Sequence, residues 1–96
     1  MLILNEQLLV FSKTDCPFCA KTKELIVQRG VPATIVELDE IEKGPQVLKT
    51  LQAITGQESV PNIFIGGKHI GGNDELLEMN DAGKLTKALQ NAGIKI

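Results

Sequence analysis

The only two cysteines of the chain, Cys16 and Cys19, are separated by Pro17 and Phe18. They follow the apolar run 8–11, which predicts a buried strand, and Pro17 is typical of the first turn of a helix. A helix N-terminus stabilises negative charge, and the thiolate is the attacking species in thiol chemistry. The spacing therefore predicts a reactive site, with Cys16 at or beside the helix N-cap and Cys19 one turn inside.

Three other uses of a cysteine pair fit this spacing less well. A structural disulfide across three positions closes a very short loop, so it removes little entropy from the unfolded chain. A tetrahedral zinc site needs about four ligands, and His69 is the only other nitrogen or sulfur ligand in the sequence. Inert buried thiols do not need an electropositive position at the start of a helix. Redox chemistry is therefore the leading interpretation, with no metal expected.

The composition limits the remaining classes of function. The 96 residues predict one small domain, 1–96, and the net charge of −2 does not indicate a nucleic-acid partner or a polybasic membrane anchor. No apolar run approaches the roughly 20 residues that span a bilayer. Residues 1–4 lack the basic flank, the length and the cleavage site of a signal peptide. A cytoplasmic location is the expectation.

The elements that must position the cysteines follow from the pattern of apolar residues, glycines and prolines. Short apolar or β-branched runs predict strands at 8–12, 34–38, 62–65 and 68–70. Helical spacing predicts helices from 17 to a stop at Gly30, from 44 to near Gly56, and at 74–80 and 84–92.

The order of these elements is βαβαββαα. A strand–helix–strand unit favours a parallel pair, and the Gly66-Gly67 turn predicts a hairpin that adds an antiparallel edge. The fold class is therefore α/β, a four-stranded mixed sheet with helices on both faces. The first helix is expected to bury Leu25 and Ile26. The second is expected to carry Val47, Leu51 and Ile54 on one face.

Four short blocks carry a resemblance to a known family. They are Phe-Ser-Lys at 11–13 before Cys-Pro-Phe-Cys at 16–19, Thr-Gly-Gln at 55–57, Ser-Val-Pro at 59–61 and Gly-Gly-Asn-Asp at 71–74. With these blocks in order, the chain from about residue 8 to its end resembles a glutaredoxin of the dithiol class, on a thioredoxin-like fold.

The resemblance implies a glutathione-dependent thiol–disulfide oxidoreductase that reduces glutathione mixed disulfides and protein disulfides. Cys16 is then the nucleophile, and Cys19 is the resolving thiol for protein disulfides. Glutathione is the co-substrate, and no tightly bound cofactor is expected. The implied partners are glutathione and glutathionylated or disulfide-containing proteins, with the protein acting as a monomer.

The resemblance also implies which residues hold glutathione near the thiols. Lys13 meets the glycyl carboxylate, Phe18 forms an aromatic wall, and Ser59 precedes a cis bond between Val60 and Pro61. The local sequence alone favours a trans bond, since only about 5–6% of such bonds are cis in folded proteins. The cis form would turn the Val60 backbone toward the site, where an extended substrate pairs with it.

The segment 72–74 opens a predicted helix, and the resemblance places the γ-glutamyl end of glutathione there. Free N–H groups at the start of this helix suit a carboxylate, and Asp74 suits the ammonium group. A plain N-cap by Asn73 or Asp74 is an alternative interpretation of the same residues and is compatible with binding.

Leu48 is the main departure from the family pattern. Family members usually place Gln or Arg at this position to hold the glycyl carboxylate, whereas leucine has no donor and suits the apolar side of its helix. Ser59 and Phe18 stand where threonine and tyrosine are usual. His69, on a predicted edge strand, is expected to be an exposed residue and not a catalytic base.

Two alternative functions remain open from the sequence. Some glutaredoxins share an iron–sulfur cluster between two chains, held by the residue corresponding to Cys16 and by external glutathione, although Pro17 is associated with poor cluster assembly. A thioredoxin-type electron donor is the other alternative. The absence of tryptophan beside the cysteines and the block at 71–74 favour glutathione instead.

Overall fold

A computed structural model describes residues 6–96 of the chain, so the expectation for residues 1–4 lies outside the described part. The eight elements occur in the predicted order. They are β1 (Leu8–Ser12), α1 (Pro17–Arg29), β2 (Thr34–Glu37), α2 (Gly44–Thr55), β3 (Asn62–Ile65), β4 (Lys68–Gly71), α3 (Asn73–Asp81) and α4 (Leu85–Asn91). The predicted boundaries are correct to within one residue at nearly every end.

The four strands form one mixed sheet in the order β2-β1-β3-β4. Strands β1 and β2 are parallel, as the α1 crossover between them predicts, and β3 is antiparallel to both β1 and β4. The β3–β4 hairpin turns through Gly66 and Gly67, both at positive φ (59° and 82°), as the turn sequence predicts. Strand β1 is central and buried along its whole length, which explains its unbroken apolar run.

Alternate side chains of β1 face two separate cores. Leu8 and Val10 pack with residues of α1, α3 and α4, whereas Leu9 and Phe11 pack with Leu51 of α2. Helices therefore cover both faces of the sheet, as expected. The end of β1 leads directly into α1, so the cysteines lie at the C-terminal edge of the central strand.

The predicted packing of α1 is confirmed for Ile26 and in part for the half-buried Leu25, whereas that of α2 is partly wrong. Ile26 is buried and Leu25 packs against the same core. Ile54, expected on the buried face of α2, is 58% exposed. The buried stripe of α2 is centred on Leu51 and turned toward Leu48, which leaves Ile54 at its margin in the last turn.

No helix within residues 6–96 is long and apolar enough to cross a membrane.

Candidate functional site

Cys16 is the N-cap of α1. Its backbone is extended (φ −104°, ψ 114°), and its carbonyl accepts a hydrogen bond from the N–H of Ala20 at 3.0 Å. Its Sγ accepts a hydrogen bond from the Cys19 N–H at 3.2 Å, as the side chain of an N-cap residue commonly does. The half-buried Cys16 sulfur thus faces the positive end of the helix dipole while keeping a path to solvent.

Cys19 lies one turn further along α1 in a different environment. Its side chain is fully buried, and both cysteines are free thiols. Burial raises the pKa of the Cys19 thiol, and its hydrogen bond with the Cys16 side chain raises that pKa further. Cys19 is therefore a protonated, shielded thiol at neutral pH, and the two cysteines are chemically unequal.

A second segment, the loop before β3, lies against the Cys16 sulfur. The Val60–Pro61 peptide bond is cis, and the Sγ of Cys16 lies 3.7 Å from the carbonyl oxygen of Val60. The side chain of Gln57 supports this loop, since its Nε2 donates to the carbonyls of Ser59 and Pro61, each at 2.8 Å. Sequence reasoning gave Gln57 no role, although its block contributed to the family resemblance.

An open cavity of about 350 Å³ lies beside these segments. Its lining residues come from the start of α1, the loop before β3 and the start of α3, and they are Phe18, Gln57, Ser59, Val60, Pro61, Gly72, Asn73, Asp74 and Glu75. Seven of the eight residues expected to hold glutathione are in this set. The eighth, Lys13, is half-buried in the loop before Cys16 and does not line the cavity.

The start of α3 forms one end of this cavity. Gly72 is the N-cap, so the alternative of a cap by Asn73 or Asp74 is wrong. The Gly72 N–H donates to Oε1 of Glu75 at 2.6 Å, which removes it as a free donor. The N–H groups of Asn73 and Asp74, in the first helical turn, have no carbonyl acceptor inside the helix. A glutamate three residues after the cap is the sequence signal for this role of Glu75.

The side chain of Asn73 turns into the protein. The residue is 5% exposed, and its Oδ1 accepts a hydrogen bond from Oγ1 of the fully buried Thr22 at 2.9 Å. The Asn73 side-chain oxygen is therefore engaged with α1, and its backbone N–H is the group left for a ligand. Asp74, in contrast, is exposed at the mouth of the cavity.

The loop between β1 and α1 is tied to the loop after β2. The Thr14 N–H donates to both carboxylate oxygens of Asp39 at 3.1 and 3.2 Å, and the Thr14 hydroxyl donates to one of them. These hydrogen bonds, chiefly that of the hydroxyl, hold the pKa of Asp39 below its usual value. Asp39 thus fixes the segment between Lys13 and Cys16, a role that sequence reasoning missed.

Leu48 and His69 lie outside the lining of this cavity. Leu48 is half-buried and packs against the core on the α2 side of the sheet, as expected for a residue without a donor. His69 is exposed on β4, as expected, and its Nε2 lies 2.7 Å from Oδ1 of the buried Asn62.

A mixed sheet whose central strand leads into a helix capped by the first cysteine of a Cys-Pro-Phe-Cys pair defines a thioredoxin-like thiol–disulfide oxidoreductase. The family model described as Glutaredoxin matches residues 8–70, and the chain belongs to the glutaredoxin family. The Cys16–Cys19 spacing is that of its dithiol members.

Individual relatives agree along nearly the whole chain. A glutaredoxin of Vernicia fordii is 45% identical over 92 residues, which cover 96% of this chain and 88% of that protein. Glutaredoxin-C2 of Arabidopsis thaliana is 46% identical over 92 residues, or 96% and 83% of the two chains. The crystal structure of a buckwheat glutaredoxin–glutathione complex is similar with a TM-score of 0.93 and 43% identity, covering 96% of this chain and 84% of that one.

Proposed function

We propose that this protein is a glutathione-dependent oxidoreductase that reduces glutathione mixed disulfides and protein disulfides. The observation that carries the proposal is the inequality of the two thiols. Cys16 is half-buried and caps the helix whose Phe18 lines the cavity, whereas Cys19 is fully buried with its pKa raised. An accessible nucleophilic thiol and a second, buried thiol that can resolve a mixed disulfide suit stepwise disulfide exchange. The buckwheat relative crystallised with glutathione supports the choice of co-substrate.

The proposed reaction with a glutathione mixed disulfide uses Cys16 alone. The Cys16 thiolate attacks the glutathione sulfur, the substrate S–S bond breaks, and the substrate leaves as a thiolate that takes up a proton. Glutathione is then bound to Cys16 through a new disulfide. The thiolate of a second glutathione attacks the bound glutathione sulfur, which releases oxidised glutathione and restores the Cys16 thiolate.

With a protein disulfide, the same attack leaves the substrate covalently bound to Cys16. Cys19 then loses its proton and attacks the Cys16 sulfur, forming the Cys16–Cys19 disulfide and releasing the reduced substrate. The contact between the Cys16 Sγ and the Cys19 N–H places the two residues within reach. Two glutathione molecules supply the two electrons that reduce the internal disulfide.

The cavity suggests how glutathione lies in the site. We place its γ-glutamyl carboxylate at the N–H groups of Asn73 and Asp74, and its ammonium group at the Asp74 carboxylate. Phe18, which is 54% exposed, forms one wall. The backbone of Val60 faces the cysteinyl part as an added strand would require.

The rest of the proposed wall of the site is formed by three further residues that line the cavity, namely Ser59, Pro61 and Gly72. Lys13 remains the proposed partner of the glycyl carboxylate. It lies outside the cavity lining, so it would meet the substrate only where glutathione extends past the Cys16 loop.

The setting of the reaction is part of the proposal. We propose that residues 1–96 act as a single glutaredoxin domain and as a monomer, with glutathione as co-substrate and no tightly bound cofactor. The partners are proteins carrying glutathione adducts or disulfides, and no nucleic acid or membrane takes part. The reaction needs a compartment rich in reduced glutathione, and we propose the cytoplasm.

The test is turnover of a small glutathione mixed disulfide, with glutathione, glutathione reductase and NADPH as the only source of electrons. The wild-type protein should consume NADPH, Cys16→Ser should be inactive, and Cys19→Ser should retain activity on the mixed disulfide. With a protein disulfide as substrate, Cys19→Ser should instead lose activity. Full activity of Cys16→Ser would contradict the proposal.

A further inference from the structure

A buried polar contact joins the two helices that begin at the cavity. The hydroxyl of Thr22 on α1 donates to the side-chain oxygen of Asn73, the first residue of α3, at 2.9 Å. Thr22 is 0% exposed and Asn73 is 5% exposed. The contact therefore lies in the interior between α1 and α3, shielded from water.

The contact between α1 and α3 is a directional hydrogen bond, although apolar side chains alone could fill this part of the interior. A threonine hydroxyl inside a helix can bond to the carbonyl four residues earlier, which for Thr22 is that of Phe18. Here it reaches across to α3 instead. A hydrogen bond restrains both distance and angle, and leaving either group unpaired in the interior is unfavourable. The pair thus restrains α3 relative to α1 more tightly than apolar contacts do.

The pair connects the helix that begins after Cys16 with the helix that begins at Asn73. Thr22 lies six residues after Cys16, or about 9 Å along the helix axis, on the same rigid helix. Asn73 opens α3, and its side chain is held inward by this contact. Its own N–H and that of Asp74 lie in the first turn, where helical N–H groups have no intrahelical acceptor. Any movement of this contact shifts those donors relative to the Cys16 sulfur.

We propose that Thr22 and Asn73 form a positioning pair that sets the distance between the Cys16 thiol and the anion-binding start of α3. The inference rests on the proposed function, since it concerns how the γ-glutamyl end of glutathione is held. The pair selects disulfides that carry a γ-glutamyl carboxylate. It does not act on the reactivity of the thiol itself.

The discriminating reaction is the first exchange step, measured under single-turnover conditions. With the cysteamine–glutathione mixed disulfide, Cys16 bonds to the glutathione sulfur and cysteamine leaves as its thiol. With cystamine, which has no γ-glutamyl group, Cys16 bonds to one cysteamine sulfur and the other cysteamine leaves. Both reactions break one S–S bond, form one and release cysteamine. They differ in the half that becomes bonded to Cys16, and only the glutathionyl half carries a γ-glutamyl group for α3 to hold.

The principal variant is Asn73→Ala, which removes the acceptor while keeping the backbone N–H. It should fold, because the Thr22 hydroxyl can turn to the Phe18 carbonyl. Thr22→Val removes the donor, Thr22→Ser retains it, and Thr50→Val is the matched control. The hydroxyl of Thr50 bonds only within its own helix, to the Gln46 carbonyl at 3.0 Å on the exposed side of α2.

In the steady-state assay coupled to glutathione reductase, Asn73→Ala and Thr22→Val should each raise the KM for the mixed disulfide by about two- to fivefold, the range of a weakened contact between an anion and a helix N-terminus. The kcat should stay within about twofold. The single-turnover rate of Thr22→Val with cystamine should equal that of the wild type. Thr22→Ser and Thr50→Val should retain the wild-type KM. The double variant should be no worse than the poorer single variant, because both changes remove one interaction.

An unchanged KM in Asn73→Ala would overturn the inference. A loss of rate by Thr22→Val that is as large with cystamine as with the mixed disulfide would also overturn it, because the contact would then act on the reactivity of the thiol. Failure of Thr22→Ser to retain the wild-type KM would also contradict it. These results are separate from failure of the proposed function, which would appear as absent turnover of the mixed disulfide by the wild-type protein in the same assay.

Discussion

Gln57 offers a direct test of how the loop opposite Cys16 is held. Its Nε2 donates to the carbonyls of Ser59 and Pro61, at 2.8 Å each, and so bridges the loop that carries Val60. Gln57→Ala removes both hydrogen bonds without touching either cysteine. The matched control is Gln52→Ala, whose Nε2 donates a single longer bond of 3.3 Å, to the Glu58 carbonyl at an exposed position.

The size of the effect follows from the number of hydrogen bonds. Each contributes about 0.5–1.5 kcal/mol net, so Gln57→Ala should lower the free energy of unfolding by about 1–3 kcal/mol. In a domain of this size each kcal/mol shifts Tm by about 4–8 °C. Gln52→Ala should change the free energy of unfolding by less than about 0.5 kcal/mol, as surface substitutions usually do. Urea titration and thermal unfolding followed by circular dichroism measure both quantities.

Activity should fall along with stability, because Ser59 and Val60 line the cavity beside the Cys16 sulfur. A loss of about tenfold in kcat/KM for a glutathione mixed disulfide corresponds to about 1.4 kcal/mol, the value of one of the two hydrogen bonds. The assay is NADPH consumption coupled to glutathione reductase, with folded protein confirmed beforehand. Wild-type stability and kcat/KM in Gln57→Ala would refute the bridging role, as would an equal loss in Gln52→Ala.

Three further outcomes are expected. The native pKa of Cys19 is raised above its ordinary value of 9.0, so the unfolded chain releases the thiol proton at a lower pH than the folded protein does. The protonated thiol therefore contributes its full stabilisation below pH 9.0, and this stabilisation is lost as the pH rises through the native pKa. Urea titrations from pH 8 to 11 should therefore show a steeper loss of stability for reduced wild type than for Cys19→Ala, and parallel curves would contradict this. Leu48→Arg should lower the apparent KM for glutathionylated substrate by supplying a donor at the position where the family pattern has one for the glycyl carboxylate, and an unchanged KM and kcat/KM would count against that role. Protein purified without oxygen should show no visible absorption band, as the proposed oxidoreductase without a tightly bound cofactor requires; a coloured dimer that loses its colour in Cys16→Ser would favour the iron–sulfur alternative.

The fold was predictable because its signals are local. A continuous apolar run marks β1, Pro17 and Gly30 bound α1, and the Gly66-Gly67 turn determines the hairpin. Ile54 shows the limit of such reasoning. Helical spacing identifies the stripe that α2 buries only to within part of a turn, and packing against the sheet determines its final orientation.

Most residues that line the cavity could be named from the blocks of the family, whereas the contacts that support them could not. Thr14 and Asp39 are 25 positions apart, and Thr22 and Asn73 are 51 apart. Such pairs form only when the topology brings distant segments together. A single sequence gives no local sign of them.

Short-range contacts that cap a helix or bridge a loop leave more sign in the sequence. Glu75 follows the N-cap Gly72 by three positions, the spacing of a capping box. Gln57 lies two residues before Ser59, but which carbonyls it bonds depends on the path of the loop through Val60 and Pro61. The sequence therefore indicated where the site lies more fully than how it is supported.

In the proposed reaction, Cys16 alone makes the first bond to glutathione. The decisive experiment mixes the reduced protein with a glutathione mixed disulfide for a single turnover, quenches it with acid, and locates the adduct by peptide mass spectrometry. We expect one glutathione on Cys16 in both the wild type and Cys19→Ser, and none in Cys16→Ser. Glutathione on Cys19, or an adduct formed equally fast by Cys16→Ser, would contradict it.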